Sequence, residues 1–111
     1  TGQTAERTVI TYLENDLNHT IIAHNFKTKT YEIDIISTSE DKIYFTEVKY
    51  RKTSARGTPL DQITPEKQAQ MRYAAQSFLS SHREFTHLQP LLAATSVSGE
   101  EYHVDDWFVI L

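Results

Sequence analysis

Residues 43–50 (IYFTEVKY) constrain the fold of this chain most strongly. Their β-branched and aromatic side chains are those that strands favour, so we predict a buried strand here. A second apolar run, residues 31–36, precedes it across a polar turn at 37–42, and a short extended segment lies around residues 21–22. Because turns this short join antiparallel neighbours, these three strands are predicted to form an antiparallel meander.

Two helices and two later strands complete the pattern. Residues 4–17 carry apolar side chains on one side of a helical wheel. Thr64-Pro65-Glu66 is typical of a helix start, with a capping hydroxyl, a proline in the first turn and an acid that complements the macrodipole. Residues 88–97 and 103–111 are predicted to be strands. The order α-β-β-β-α-β-β predicts a mixed α/β fold, and 111 residues with 39% hydrophobic side chains suit a single domain over residues 1–111.

Composition excludes several classes of protein. Cysteine is absent, which rules out disulfides, thiolate nucleophiles and cysteine-ligated zinc. A formal charge of -4 means that no sequence-wide basic field draws the chain onto nucleic acid, so such binding needs a local basic patch. No apolar run approaches the roughly 20 residues of a membrane span. We therefore expect a soluble, cytoplasmic protein that does not interact with membranes.

Charged residues interrupt the two most apolar strands. Ile33 and Ile35 are predicted to share one face of their strand, with Asp34 on the other. A solvated strand face explains Asp34 about as well as a functional role does. Glu47 and Lys49 lie two residues apart on the next strand and so project from one face, about 7 Å apart. If the strands are neighbours, that face presents Asp34, Glu47 and Lys49 together.

Glu6 lies inside the apolar arc of the first helix, where a carboxylate must be paired, metal-bound or at the rim of the core. The rim is the simpler alternative. If the helix packs on the same face as the strand charges, Glu6 approaches them. An Asp and a Glu from adjacent strands offer hard oxygen ligands to Mg²⁺ or Mn²⁺. A nearby lysine can orient water and stabilise a phosphoryl oxygen, and the metal activates that water. The set suits phosphodiester hydrolysis.

A basic segment leaves the central strand and is continued on the second helix. It is predicted to contact phosphates, although a solvated loop with incidental charge explains it equally well. Its members are Arg51, Lys52, Arg56, Lys67 and Arg72.

Other side chains give weaker signals. Tyr31 and Tyr50 could stack on bases, but strand tyrosines more often complete a core. The five histidines show no ligand spacing and are expected on the surface or in turns; they are His19, His24, His82, His87 and His103.

Asp34, followed after twelve residues by Glu47-Val48-Lys49, resembles the signature of the PD-(D/E)xK nucleases. The wider pattern resembles the YraN family, small proteins similar to archaeal Holliday-junction resolvases. The matching residues are Gly2, Glu6, Tyr12, Leu13, Asn25, Glu32, Ile33, Asp34, Ile35, Ile36, Phe45, Glu47, Val48, Lys49, Arg51, Gly57, Pro59, Thr64 and Lys67. Three positions depart from the family pattern, namely Tyr31, Thr46 and Arg56. Gln68 and Tyr73 are five residues apart, so they do not match the Gln-x-x-x-Tyr motif of related nucleases.

The resemblance implies a restriction-endonuclease-like fold, an αβββαβ core whose mixed central sheet is flanked by helices. It implies that Asp34 and Glu47 ligate Mg²⁺ or Mn²⁺ with the Val48 carbonyl as a further ligand. Lys49 would position water, and Glu6 would hold a second metal or orient bound water. Similarity to junction resolvases favours DNA over RNA and suggests a homodimer, because resolving a junction takes two cuts.

Two functions follow from these residues. The first is a divalent-metal-dependent endonuclease that hydrolyses phosphodiester bonds in branched, single-stranded or structured nucleic acid. The second is a non-catalytic nucleic-acid- or protein-binding module on the same fold, since a fold alone does not establish an activity.

Overall fold

The computed structural model describes residues 2–52 and 63–110, and its elements follow the predicted order. The helices are α1 (Gly2–Asn15), α2 (Pro65–Ser81) and a short 3₁₀ turn at Arg83–Phe85. The strands are β1 (Thr20–Lys27), β2 (Glu32–Ser39), β3 (Lys42–Arg51), β4 (Gln89–Ser98) and β5 (His103–Ile110). Residues 53–62, which include Arg56 of the basic segment, lie outside the described residues. No described helix is long and apolar enough to cross a membrane.

Five strands form one mixed sheet in the order β1-β2-β3-β4-β5. β1, β2 and β3 pair antiparallel, which confirms the predicted meander. β3 and β4 pair in parallel along their whole length. The connection through α2 therefore brings the chain back to the start of β3, on the edge that is not paired with β2. β5 pairs antiparallel with β4 and forms the far edge of the sheet. The chain is therefore an α/β protein with a helix-flanked mixed sheet, as predicted.

The helices cover opposite faces of this sheet. One buried cluster joins α2, through Met71 and Phe78, to Ile43 and Phe45 of β3. The other joins α1 to the opposite face; its members are Ala5, Val9, Leu13, Ile35 and Val97, with Val48 and Tyr50 packed against it. Because side chains alternate along a strand, β3 contributes to both cores.

The start of α2 has the predicted cap. Pro65 is the first helical residue, and the Thr64 hydroxyl accepts a hydrogen bond from the Lys67 backbone N–H at 3.1 Å. This bond satisfies one of the amide groups that a helix leaves unpaired at its N-terminus. The cap fixes the first turn of α2, and with it Lys67, beside the sheet.

One histidine contradicts the expectation of surface or turn positions. His19 is buried, with its Nδ1 2.9 Å from the Ser37 hydroxyl. Its ring stacks on Tyr44 and meets Trp107 edge-on, at centroid distances of 4.9 and 5.2 Å. Ligand spacing carries no information about burial, which depends here on β5 closing over the loop after α1. The sequence pattern therefore could not predict that His19 is buried.

Candidate active site

The regular alternation of β2 breaks at Asp34. Ile33 and Ile36 both lie in the core under α2, whereas Ile35 lies in the core under α1. In an uninterrupted strand Ile33 and Ile35 would share a face, so that prediction is wrong. β1 shows the same break opposite, because Ala23 and Phe26 both pack toward α2. An irregularity of this kind changes the direction in which the intervening side chain points.

Asn25 marks the break in β1. Its backbone has a φ of 54°, in the left-handed region that asparagine tolerates better than most residues. The register pairs on either side, His24↔Ile35 and Phe26↔Ile33, place Asn25 opposite Asp34. The two irregular residues thus face each other across the β1–β2 ladder.

Asp34 reaches along the sheet toward β3. Regular pairing of β2 with β3 stops at Ile35↔Thr46, and beyond it Asp34 Oδ2 accepts a hydrogen bond from the Val48 backbone N–H at 2.8 Å. The carboxylate therefore occupies the opening where the two strands separate. Only 8% of the residue is exposed.

The surroundings of Asp34 disfavour its ionised form. Burial raises its pKa most, the Glu47 carboxylate next, and Glu6 and Glu32 add smaller repulsions; together they outweigh the Val48 hydrogen bond and bring the pKa to about 7. An acid with such a pKa in a polar cluster marks a candidate functional site.

Glu47 meets two lysines. Its Oε2 lies 3.1 Å from the Lys49 Nζ and 3.6 Å from the Lys67 Nζ. Glu47 is buried, with 7% of the residue exposed, while each lysine side chain keeps 30% of its surface in solvent. The short contact between Glu47 and Lys49 confirms that they project from one face of β3. Lys67, which is predicted to contact nucleic acid, also reaches Glu47 from the capped first turn of α2.

Glu6 comes from the opposite face. Val48 and Tyr50 pack toward α1, so Glu47 and Lys49, which alternate with them, project toward α2. Contrary to what the prediction assumed, α1 therefore does not pack on the Glu47 face, yet Glu6 still lies near enough to both acids for their charges to interact. Glu6 is half-buried beside β1, where a small cavity also contains His24.

The charges around Glu6 link it to Asp34. Burial raises the pKa of Glu6 most, followed by repulsion from Glu32, while a hydrogen bond with the Asn25 side chain and the charge of His24 lower it. Glu6 in turn contributes to the raised pKa of Asp34. Asn25 and Glu32 were not predicted to belong to the site, and the one feature of the sequence that marks them is their match to the family pattern.

The donor set fits a divalent cation. Two buried carboxylates, Asp34 and Glu47, lie close enough to repel one another, and an ion between them would relieve that repulsion. In the described part of the chain, no three histidine, aspartate or glutamate side chains form a group that could hold a metal ion. Mg²⁺ commonly uses one or two protein carboxylates and keeps several waters. The site suits such an open arrangement better than a closed cage.

The remaining predicted contacts to nucleic acid lie in different places. Arg51 is half-buried at the end of β3, and Lys52 after it is exposed. Arg72 is exposed on α2, where it borders a groove of about 310 Å³ between α2 and β4. Tyr50 is accounted for by the fold, because its ring stacks on Tyr102 at 5.0 Å. The basic residues therefore do not form one continuous described patch.

Taken together, the helix-flanked mixed sheet and the acid pair beside a lysine at a strand opening are compatible with the restriction-endonuclease-like class. The family described as "Uncharacterised protein family UPF0102" matches residues 5–97, a range that contains every residue of the site. The chain belongs to this family, which is the YraN family.

Individual relatives support the same assignment. The chain is 36% identical over 81 residues to a UPF0102 protein of Chlorobium phaeobacteroides, covering 73% of this chain and 64% of that protein. It is 38% identical over 82 residues to UPF0102 proteins of Alkaliphilus oremlandii and Geotalea daltonii, covering 74% of this chain and 69% and 64% of theirs. The matched segment thus spans about two thirds of the length of these relatives.

Proposed function

We propose that the protein is a divalent-metal-dependent endonuclease that hydrolyses phosphodiester bonds in branched, single-stranded or structured nucleic acid. One observation carries the proposal: Asp34 and Glu47 are buried side by side where β2 and β3 separate, with Lys49 3.1 Å from Glu47. Two lysines offset the burial of Glu47, but the Asp34 carboxylate beside it is still strongly disfavoured by burial and by the charge of Glu47.

Each residue of the site has a distinct role in this proposal. Asp34 and Glu47, with the Val48 carbonyl, hold Mg²⁺ or Mn²⁺, which when bound supplies positive charge to the scissile phosphate and acidifies an attacking water. Lys49 orients that water and stabilises the charge that develops on the phosphoryl oxygen. Glu6 holds a second metal or orients water from the other side of the strand opening.

The proposed phosphate contacts are Arg51, Lys52, Arg56 and Arg72, with Lys67 shared between phosphate and Glu47; Arg56 lies outside the described residues. With a net charge of -4, binding is expected to be weak and sensitive to salt, because each phosphate contact releases counterions. We propose DNA as the substrate and a homodimer as the assembly for two cuts at a junction.

A cleavage panel tests the proposal. A Holliday junction, a flap, a single strand and a structured RNA are incubated with wild type, Lys49→Met and Lys42→Met in Mn²⁺ or Mg²⁺. Lys42 is the matched control, because it lies on the same strand and pairs with Asp41 at 2.9 Å, away from the site. We expect metal-dependent cutting by wild type and Lys42→Met, and a loss of about 100-fold or more in Lys49→Met, the scale of removing one stabilising donor.

Calorimetry with Mn²⁺ supplies the second measurement. Asp34→Ala and Glu47→Ala are each expected to weaken Mn²⁺ binding, whereas Lys49→Met is expected to retain it. Unchanged Mn²⁺ affinity in both acid variants would show that the ion binds elsewhere.

The alternative is a binding module without catalysis. The observation that favours it is the lack, among the residues that the structure describes, of a group of three potential metal ligands. Nucleic-acid binding with no metal-dependent cleavage, identical in wild type and Lys49→Met, would support this alternative over the nuclease.

A further inference from the structure

An open groove lies between the start of β2 and the first half of α2. Its volume is about 440 Å³, and its lining residues are Thr30, Tyr31, Glu66, Ala69, Gln70 and Tyr73. Tyr73 is 57% exposed, and it is the only large hydrophobic side chain in the described part of the chain that is mostly exposed. Its exposure and its position in a groove of ligand size leave the Tyr73 ring available to a bound group.

The groove adjoins the candidate active site. Tyr31 immediately precedes β2, three residues before Asp34. Gln70 lies one helical turn beyond Lys67, which is 3.6 Å from Glu47. Tyr31 also packs against the core under α2, the face from which Glu47 projects. The groove and the acid pair therefore lie along the same two segments, the start of β2 and the first turns of α2.

The two tyrosine rings are arranged for stacking. Their centroids are 5.6 Å apart and the rings are nearly perpendicular, at 79°. In an edge-to-face contact neither ring covers both faces of the other, so the mostly exposed Tyr73 ring keeps a face open to a further planar group. Base–aromatic stacking of this kind is how proteins hold unpaired nucleotides without reading their sequence.

The charge of the groove favours binding of a neutral base over binding of a phosphate. Glu66 is the one charged residue of its lining, and its carboxylate repels phosphate. The Gln70 amide and the Thr30 hydroxyl offer donors and acceptors to the polar edge of a base. A neutral planar ring with hydrogen-bonding edges matches this lining better than a sugar-phosphate chain does.

From these observations we propose that the groove between Tyr31 and Tyr73 binds one unpaired nucleobase beside the phosphate at the site. The inference rests on the proposed function for the identity of the polymer. It narrows the substrate class to nucleic acid with an extrahelical or single-stranded nucleotide next to the cut, because a paired base remains inside its helix and cannot enter.

Fluorescence of 2-aminopurine tests this inference independently of cleavage. The full chain is titrated, in EDTA and low salt, with a DNA duplex that contains one bulged 2-aminopurine. Matched duplexes carry an abasic bulge or a fully paired 2-aminopurine. Wild type is expected to quench the bulged base and to bind that duplex about 5- to 100-fold more tightly than the abasic one, the range that one base–aromatic stack provides.

Variants assign the effect to the groove. Tyr73→Ala is expected to lose both the quenching and the preference for the bulged base, while Tyr73→Phe, which keeps a stacking ring, retains both. Gln76→Ala is the control, since Gln76 is exposed on the same helix and does not line this groove. Because Tyr73 is mostly exposed, its loss leaves the core intact, and circular dichroism verifies this.

The outcomes distinguish the proposal that the groove binds a base from the proposal that the protein is a nuclease. Equal binding of all three duplexes, absence of quenching, or unchanged behaviour in Tyr73→Ala would overturn the groove assignment even if the protein cleaves DNA. Quenching that depends on Tyr73, without cleavage in any divalent metal, would uphold the groove and reject the nuclease.

Discussion

At the scale of single residues, Asp34 is subject to opposing influences. The Val48 N–H stabilises its carboxylate, while burial and the neighbouring acids favour the protonated form, and the balance brings its pKa to about 7. Near neutral pH, the Asp34 carboxyl is therefore protonated in some molecules and ionised in others. A bound divalent cation would replace the proton, so we expect metal affinity to rise with pH.

Asp34→Asn tests this balance in the metal-free protein. A carboxyl whose pKa is raised on folding contributes stability below its unfolded pKa, and that stability is lost as pH rises through the folded value. At pH 8 the neutral amide is expected to raise the free energy of unfolding by about 1 to 3 kcal/mol, since a tenfold change in proton affinity is worth about 1.4 kcal/mol. At pH 5, closer to the unfolded pKa, the gain from the amide is expected to be clearly smaller than at pH 8.

Urea unfolding in EDTA at both pH values measures the effect. Asp16→Asn, at an exposed position just after α1, is the control and is expected to change stability little at either pH. The amide oxygen that Asp34→Asn introduces can still accept the Val48 N–H, so the backbone contact is preserved. Equal stabilisation at pH 5 and pH 8 would mean that the charge of Asp34 is not the cause.

At the scale of helices and strands, the sequence predicted the elements because each has its own periodicity or cap. The Thr64 cap and the buried stripe of α2, Met71, Ala74, Ala75 and Phe78, agree with the structure. β3 was predictable from its β-branched and aromatic residues. These signals are local, so the remainder of the fold does not alter them.

The interruption at Asn25 and Asp34 was not predictable in the same way. The alternation rule assumes an unbroken strand, and it therefore placed Ile33 and Ile35 on one face. The actual arrangement depends on paired irregularities in two strands, which no single segment reveals. The same break turns Asp34 toward β3. α1 packs on the face of the sheet opposite to Glu47, so the sequence identified these acids but not how they are arranged.

Substitutions at Asn25 distinguish the effect of its backbone conformation from the effect of its side chain. Asn25→Gly is expected to preserve stability within about 0.5 kcal/mol because glycine adopts positive φ freely, whereas Asn25→Ala is expected to cost about 1 kcal/mol more. Both remove the Asn25 side chain, which lowers the pKa of Glu6, and are expected to slow metal-dependent cleavage to a similar extent. Thermal unfolding and cleavage rates are the measurements; slower cleavage in Asn25→Ala alone would assign the effect to the backbone.

At the scale of the whole molecule, buried titratable groups lie on both sides of the sheet. His19 connects the segment after α1 to Ser37 of β2, Tyr44 of β3 and Trp107 of β5. Burial lowers the pKa of His19. The folded protein therefore prefers a neutral His19, just as it prefers a neutral Asp34, but the two preferences respond to pH in opposite directions.

The signs of the two effects predict how stability varies between pH 5.5 and pH 7.5. A histidine whose pKa is lowered on folding contributes stability above its unfolded pKa, near 6.5, and that stability is lost as pH falls. Asp34 loses its contribution as pH rises through about 7. In the metal-free wild type the two slopes partly cancel. Asp34→Asn is expected to become more stable with rising pH, and His19→Gln less stable, by about 1 kcal/mol across this range.

The double variant completes the test, because the two sites lie in different clusters and their effects should add. Chemical unfolding, followed by the fluorescence of Trp107, gives the slope of stability against pH for wild type, both single variants and the double variant. Slopes rather than absolute stabilities are compared, since His19→Gln also disturbs packing against Tyr44. If Asp34→Asn and His19→Gln shift the slope in the same direction, at least one of these groups does not titrate as its burial requires.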